Sequence, residues 1–226
     1  MENNKEKYIK GLIDELKNIK YIMPQDIPNI DLYMDQVTTF MDEKLKSSKR
    51  YSEDKLLTKT MINNYTKNEL LPPPNKKKYS KEHLFLLIFI YYFKTILSIN
   101  DIKALFEPLV EKYFDDNPVV NLEEIYTEIF VLEQEQVDSL TKDLIRKMLK
   151  AKESFSTVEN EEDKDFLSMF SFICMLSFDI YMKKQILEKM IDNLIKPEKN
   201  DTGKKDTPKK DASKKDTSKK ENETKK

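Results

Sequence analysis

Apolar residues along this 226-residue chain recur at three- and four-residue intervals, and that spacing predicts helices. Tyr8, Leu12, Leu16 and Ile19 predict a first helix near residues 3–22. "MPQDIP" ends it, because Pro24 and Pro28 each disfavour helical conformation in the residue before. Tyr33, Val37, Phe40, Met41 and Leu45 predict a second helix over 31–46. A third, 59–68, starts after Thr58 and stops before Pro72, with Met61, Ile62 and Tyr65 on one face. The fourth, from Ser80 to Leu97, has Leu84, Leu87, Ile88 and Tyr91 on one side and Phe85, Phe89 and Phe93 on the other. A helix without a polar face belongs in the centre of a fold. Ser98, with Asp101 three residues later, predicts a capped fifth helix carrying Ile102, Leu105, Phe106, Leu109 and Tyr113. The segment 121–151 repeats apolar positions from Leu122 to Met148 but breaks at "EQEQ", so it reads as one helix or two. A last helix spans 163–195. No segment alternates as a strand does, and the expected class is all-α.

Composition narrows the chemistry. Two glycines exclude a glycine-rich phosphate loop, and the lack of glycine turns disfavours barrels and sandwiches. The single Cys174 rules out an intramolecular disulfide and points to a reducing compartment. The opening "MENNKEKYIK" is charged throughout, unlike a secretory signal, and a cytoplasmic location is expected. The runs "LFLLIFIYY" and "FLSMFSFICMLSFDIYM" are short for a bilayer, and the second holds three serines and Asp179. Both are expected to be buried helices, with no membrane partner. His83 reads as an ordinary, partly exposed side chain, and Cys174 as packing. No metal-ligand spacing and no nucleophile–base pair is present, so neither an enzyme nor a cofactor is expected. From Lys204 the chain repeats "KKDTP", "KKDAS" and "KKDTS" without an apolar residue. The tail 196–226 is therefore expected to be disordered.

Charge singles out one region. The chain has a net charge of −1, yet Lys44–Lys94 holds twelve basic and four acidic side chains. On the predicted helix 59–68, Lys59, Thr60, Asn63 and Lys67 face away from the apolar side, with Asn64 beside them. Asn makes bidentate bonds to adenine in the major groove, while Lys and Thr reach phosphates or base edges. A basic turn, 75–79, follows with Lys76, Lys77, Lys78 and Tyr79. These nine residues are the candidate contacts to duplex DNA.

The order of these parts resembles the MerR family of bacterial transcription regulators. There a recognition helix leads into a Leu-Leu-Pro or Leu-Ile-Pro turn, a basic wing ending near a Tyr, an apolar helix and a Ser-hydrophobic-x-x-Ile start. The matching residues are Tyr65, Leu70, Leu71, Pro72, Lys78, Tyr79, Leu87, Ser98, Ile99, Ile102 and Leu105, within 56–106. More closely, the chain resembles a Firmicute family of domains of unknown function, number 1836, itself MerR-like here. The departures are Met61 and Asn63 where MerR proteins usually have Thr and Arg, Glu69 where a helix-ending Gly is usual, and a long spacer, "KSSKRYSEDK", before Thr58. The resemblance implies a MerR-like helix-turn-helix domain over 31–115. It would be preceded by an N-terminal helix and linker, 1–30, and followed by a helical extension, 120–195, that dimerises or senses. The expected function is a homodimeric, DNA-binding transcription regulator. The alternative is a helical interaction or sensor module on a degenerate DNA-binding fold.

Overall fold

The computed structural model describes residues 11, 14, 21–115 and 119–195. Most of the expected first helix and all of the repeat tail lie outside the described residues, although Gly11 and Asp14 are helical. Among the described residues the fold is built from six α-helices: α1 Met34–Lys44, α2 Lys59–Lys67, α3 Lys81–Phe93, α4 Ile99–Tyr113, α5 Leu122–Glu153 and α6 Glu161–Ile195. Short 3-10 turns form at Pro24–Asp26 and Lys46–Ser48.

Two-residue strands, β1 (Leu32–Tyr33) and β2 (Lys78–Tyr79), pair antiparallel with Leu32 opposite Tyr79 and Tyr33 opposite Lys78. The apolar pattern predicts no strand and starts the second helix at 31. Two residues are too few to alternate, and Tyr33 leaves the helix to become its N-cap. Tyr33 is exposed rather than inward, with the Lys78 ammonium 5.5 Å from its ring centroid.

The core forms around α3. Nine consecutive residues, His83–Tyr91, are buried, as a helix without a polar face requires. Val37, Met41 and Leu45 reach it from α1, Ile62 and Tyr65 from α2, and Ile102 and Phe106 from α4. Helix ends follow local chemistry. Ser98 Oγ accepts the Asp101 N–H at 3.1 Å, while the Asp101 carboxylate accepts the Ser98 N–H at 3.1 Å. Asn121 and Glu124 exchange the same pair of bonds to open α5. The core extends beyond 31–115 to Ile22, Ile27, Leu122, Tyr126 and Ile191. The Tyr126 hydroxyl donates to the Ile22 carbonyl, and Lys81 pairs with Glu123 at 2.7 Å.

Helix α5 runs unbroken through "EQEQ". Its middle is almost wholly exposed, so good helix formers carry it there without an apolar stripe. Helix α6 packs on α5, where Lys147 bridges Asp143 and Asp179. "LFLLIFIYY" is buried as expected, but "FLSMFSFICMLSFDIYM" is not. Phe166, Phe170, Ile173, Phe178 and Ile180 all lie more than half exposed, because α5 covers only one side of the helix. By length and composition α6 is long and apolar enough to cross a membrane.

Candidate nucleic-acid interface

Helix α2 is held at both ends. Thr58 Oγ1 accepts the Met61 N–H at 3.2 Å, and the Met61 sulfur takes the Thr58 N–H at 3.5 Å, so Met fills the place that Glu or Gln has in a capping box. Leu57 and Ile62 are both buried, as expected of a hydrophobic residue before the cap and its partner one turn on. The entering loop is tied from outside: Lys94 donates to the Leu56 carbonyl at 2.7 Å while lying 5.2 Å from the Tyr91 ring centroid. Burial lowers the pKa of Lys94. Nothing in the spacing of Lys94 announces this positioning role, since its partner is a backbone atom 38 residues away.

The far end of α2 is a Schellman turn. The Leu70 N–H bonds to the Tyr65 carbonyl at 2.8 Å and the Glu69 N–H to the Thr66 carbonyl at 3.1 Å. Glu69 therefore occupies the left-handed position, φ 58°, that usually belongs to Gly. Its carboxylate bonds Lys103 of α4 at 2.6 Å, which holds it below the ordinary carboxylate pKa. Leu70 and Leu71, both buried, anchor the exit.

Pro72–Pro74 lead into a tight turn in which the Lys78 N–H bonds the Asn75 carbonyl at 2.9 Å. Both central residues, Lys76 (φ 47°) and Lys77 (φ 67°), are left-handed, the signature of a type I′ hairpin turn that favours Asn-Gly. Two lysines at such positions cost roughly 1–2 kcal/mol each in backbone strain. That strain puts two exposed ammonium-bearing side chains at the tip.

Lys59, Thr60, Asn63, Asn64 and Lys67 are all exposed on α2, with Met61, Ile62 and Tyr65 turned inward or half-inward. Lys59 is engaged by Asp35 of α1. Among the described residues Lys67, Lys76 and Lys77 make no ion pair. Lys78 is half-buried over Tyr33, and Tyr79 turns away from solvent altogether, 3% exposed and edge-on to His83. The Tyr79 side chain is thus removed from the exposed contact set; it pairs with Leu32 and packs in the core.

His83 is the second departure. It is 4% exposed rather than partly solvated, set between Tyr79 and Phe114 with edge-on ring centroids at 5.4 and 4.8 Å. Nδ1 accepts the Ser80 N–H at 3.1 Å, so His serves as the third helical residue of a capping box at the start of α3. This leaves the proton of the neutral ring on Nε2, which is buried without a closed hydrogen bond near the Pro72 and Pro73 carbonyls. Burial lowers the imidazole pKa, against the opposing pull of Pro73, Glu82, Pro72 and Asp31. Among the described residues no group of His, Cys, Asp and Glu is assembled to hold a metal ion.

Residues 22–129 match the family model described as a domain of unknown function, DUF1836. The matched stretch contains all nine candidate contacts, the whole of α1–α4 and the start of α5. No curated protein and no solved structure matches the chain.

Proposed function

We propose that this protein binds duplex DNA as a transcription regulator, with α2 reading the major groove and the Lys76–Lys77 tip gripping backbone phosphate. The observation that carries this reading is the strained tip. Lysines stand at two left-handed positions that Asn-Gly would fill at lower cost, and they make no internal ion pair that would account for them. Strain retained at an exposed cationic tip has a reason if an anion is the partner. The neighbouring α2 adds an exposed Asn63 one turn from Lys59 and Lys67, residue types that suit base edges and phosphates. A capped short helix, a Leu-Leu-Pro exit, a hairpin tip and a buried apolar helix follow one another in the order of a MerR-like helix-turn-helix with a wing. The pairing of Lys59 with Asp35 favours a second reading, a helical interaction module in which the polar α2 face is simply solvated.

Selection of duplexes from a random pool separates the two. A preferred sequence is expected to be enriched, and Asn63→Ala is expected to lose ~1–3 kcal/mol on it with little change on random DNA. No enrichment over the pool would remove the DNA reading. Enrichment with undiminished binding by Asn63→Ala would move the contact face elsewhere.

A further inference from the structure

Helix α6 changes its covered side partway along. In its first half Ser168, Phe172, Met175 and Asp179 are among the half-buried positions and share one side, the face turned to α5. In its second half, beside half-buried Gln185, the covered positions are Lys184, Glu188 and Ile191, and Ile191 joins the core. By helical spacing these last three continue the line of Phe166, Phe170, Ile173, Ser177 and Ile180. One face of α6 is therefore packed at its C-terminal end and bare at its N-terminal end. Phe166, Phe170, Ile173 and Ile180 on it are 68, 53, 53 and 63% exposed.

We infer that this bare face is the contact between two copies of the chain, α6 lying antiparallel on its counterpart about a two-fold axis at Ile173. Four observations select a second copy. The positions 166, 170, 173, 177 and 180 alternate steps of four and three, the spacing that seats one helix along another. The two-fold axis sets Phe166 against Ile180 of the other copy, and brings Glu162 to its Lys184, so an acidic end meets a basic middle. On or beside this line Phe166, Phe170 and Tyr181 each leave on the order of 100 Å² outside. With their aliphatic neighbours the patch approaches the ~800 Å² that one partner contributes to a standard interface, above the ~300–600 Å² of a typical monomer's largest patch. Finally, the opposite face of α6 is occupied by α5, whose Asp143, Arg146 and Lys147 border it beside Asp179 and Lys183. A bilayer taking up α6 would have to dehydrate that cluster, whereas a second protein chain leaves it in water. This inference does not depend on the DNA reading.

The full chain at tens of micromolar is expected to sediment at about twice its 26.9 kDa mass. Ile173→Asp is expected to return it to the single-chain mass with an unchanged far-ultraviolet helix signal. Cysteine pairing fixes the geometry. In a Cys174→Ser background, oxidation is expected to link Ile173→Cys to itself and to leave Phe166→Cys unlinked, while a chain carrying both Phe166→Cys and Ile180→Cys links again. A monomer at every concentration, or equal self-linking of Phe166→Cys and Ile173→Cys, overturns the antiparallel dimer. Flotation of the full chain with vesicles of phosphatidylcholine and phosphatidylglycerol, lost in Ile173→Asp, would overturn it in favour of a lipid surface.

Discussion

His83 couples acidity to the seating of the hairpin. Its Nδ1 must be unprotonated to accept the Ser80 N–H, and burial lowers its pKa below the ordinary 6.5. The unfolded chain therefore takes up a proton at a higher pH than the folded one does. The stability that follows is complete above the ordinary histidine range and is lost as pH falls from about 6.5 toward the depressed folded value. Thermal melts are expected to be level from pH 8 to 7 and to decline toward pH 5, above the range where most carboxylates titrate. His83→Gln, which keeps a side-chain acceptor for the cap, is expected to flatten that decline; an unchanged slope in the variant would place the acid sensitivity elsewhere. Glu69 makes a second residue-scale test. Glu69→Gly relieves a left-handed β-carbon and gives up a largely exposed ion pair with Lys103. Glu69→Ala gives up the pair and keeps the strain. Chemical denaturation is expected to find the glycine variant more stable than the alanine variant by ~1 kcal/mol.

At the scale of elements, the proposed DNA contact sets stability against binding at the hairpin tip. Replacing Lys76-Lys77 with Asn-Gly supplies the residues that a type I′ turn favours and is expected to stabilise the fold by ~1–2 kcal/mol. In the proposed DNA reading the same change removes two phosphate contacts, so DNA affinity is expected to fall and the slope of log affinity against log salt to shrink by about 2. Melting and binding titrations on one preparation read both, and a rise in affinity together with stability would show that the tip is not a contact. Other elements were plain in the sequence because their signals are local. Thr58 with Leu57 and Ile62 marks α2, and Ser98 with Asp101 marks α4. β1 and β2 were not, since a two-residue pairing between positions 32–33 and 78–79 leaves no alternation to detect. The burial of His83 leaves no mark in the sequence either, because a histidine closing a cap looks the same there as one in water. The exposure of the candidate residues on α2 is legible from helical spacing, whereas that of Tyr79 is not: its position in the turn gives no sign that β1 draws it inward.

At the scale of the whole molecule, the parts that lie far apart in sequence meet at few points. The described body consists mostly of helices whose bonds are local, but Tyr126 of α5 closes on the Ile22 carbonyl across 104 residues, beside Tyr92, whose pKa is pushed up to about 12 mainly by burial. Ile191 joins the same core from near the end of α6. Apolar residues at helical spacing announce that α5 and α6 exist. They do not say that only one side of α6 would be covered, since the same pattern serves a core and a contact between chains. The Tyr126 clasp has a consequence in time. Contacts that close long loops are entropically late, so the barrier to folding is expected to be crossed before Tyr126 reaches Ile22. Removing only the hydroxyl, in Tyr126→Phe, should then leave the refolding rate nearly unchanged and hasten unfolding by about tenfold for ~1.4 kcal/mol of lost stability. Stopped-flow unfolding and refolding arms distinguish this from an early clasp, which would slow refolding instead. The bond that joins the N-terminal segment to the long helices would thus set how long the native state lasts, rather than how quickly it is reached.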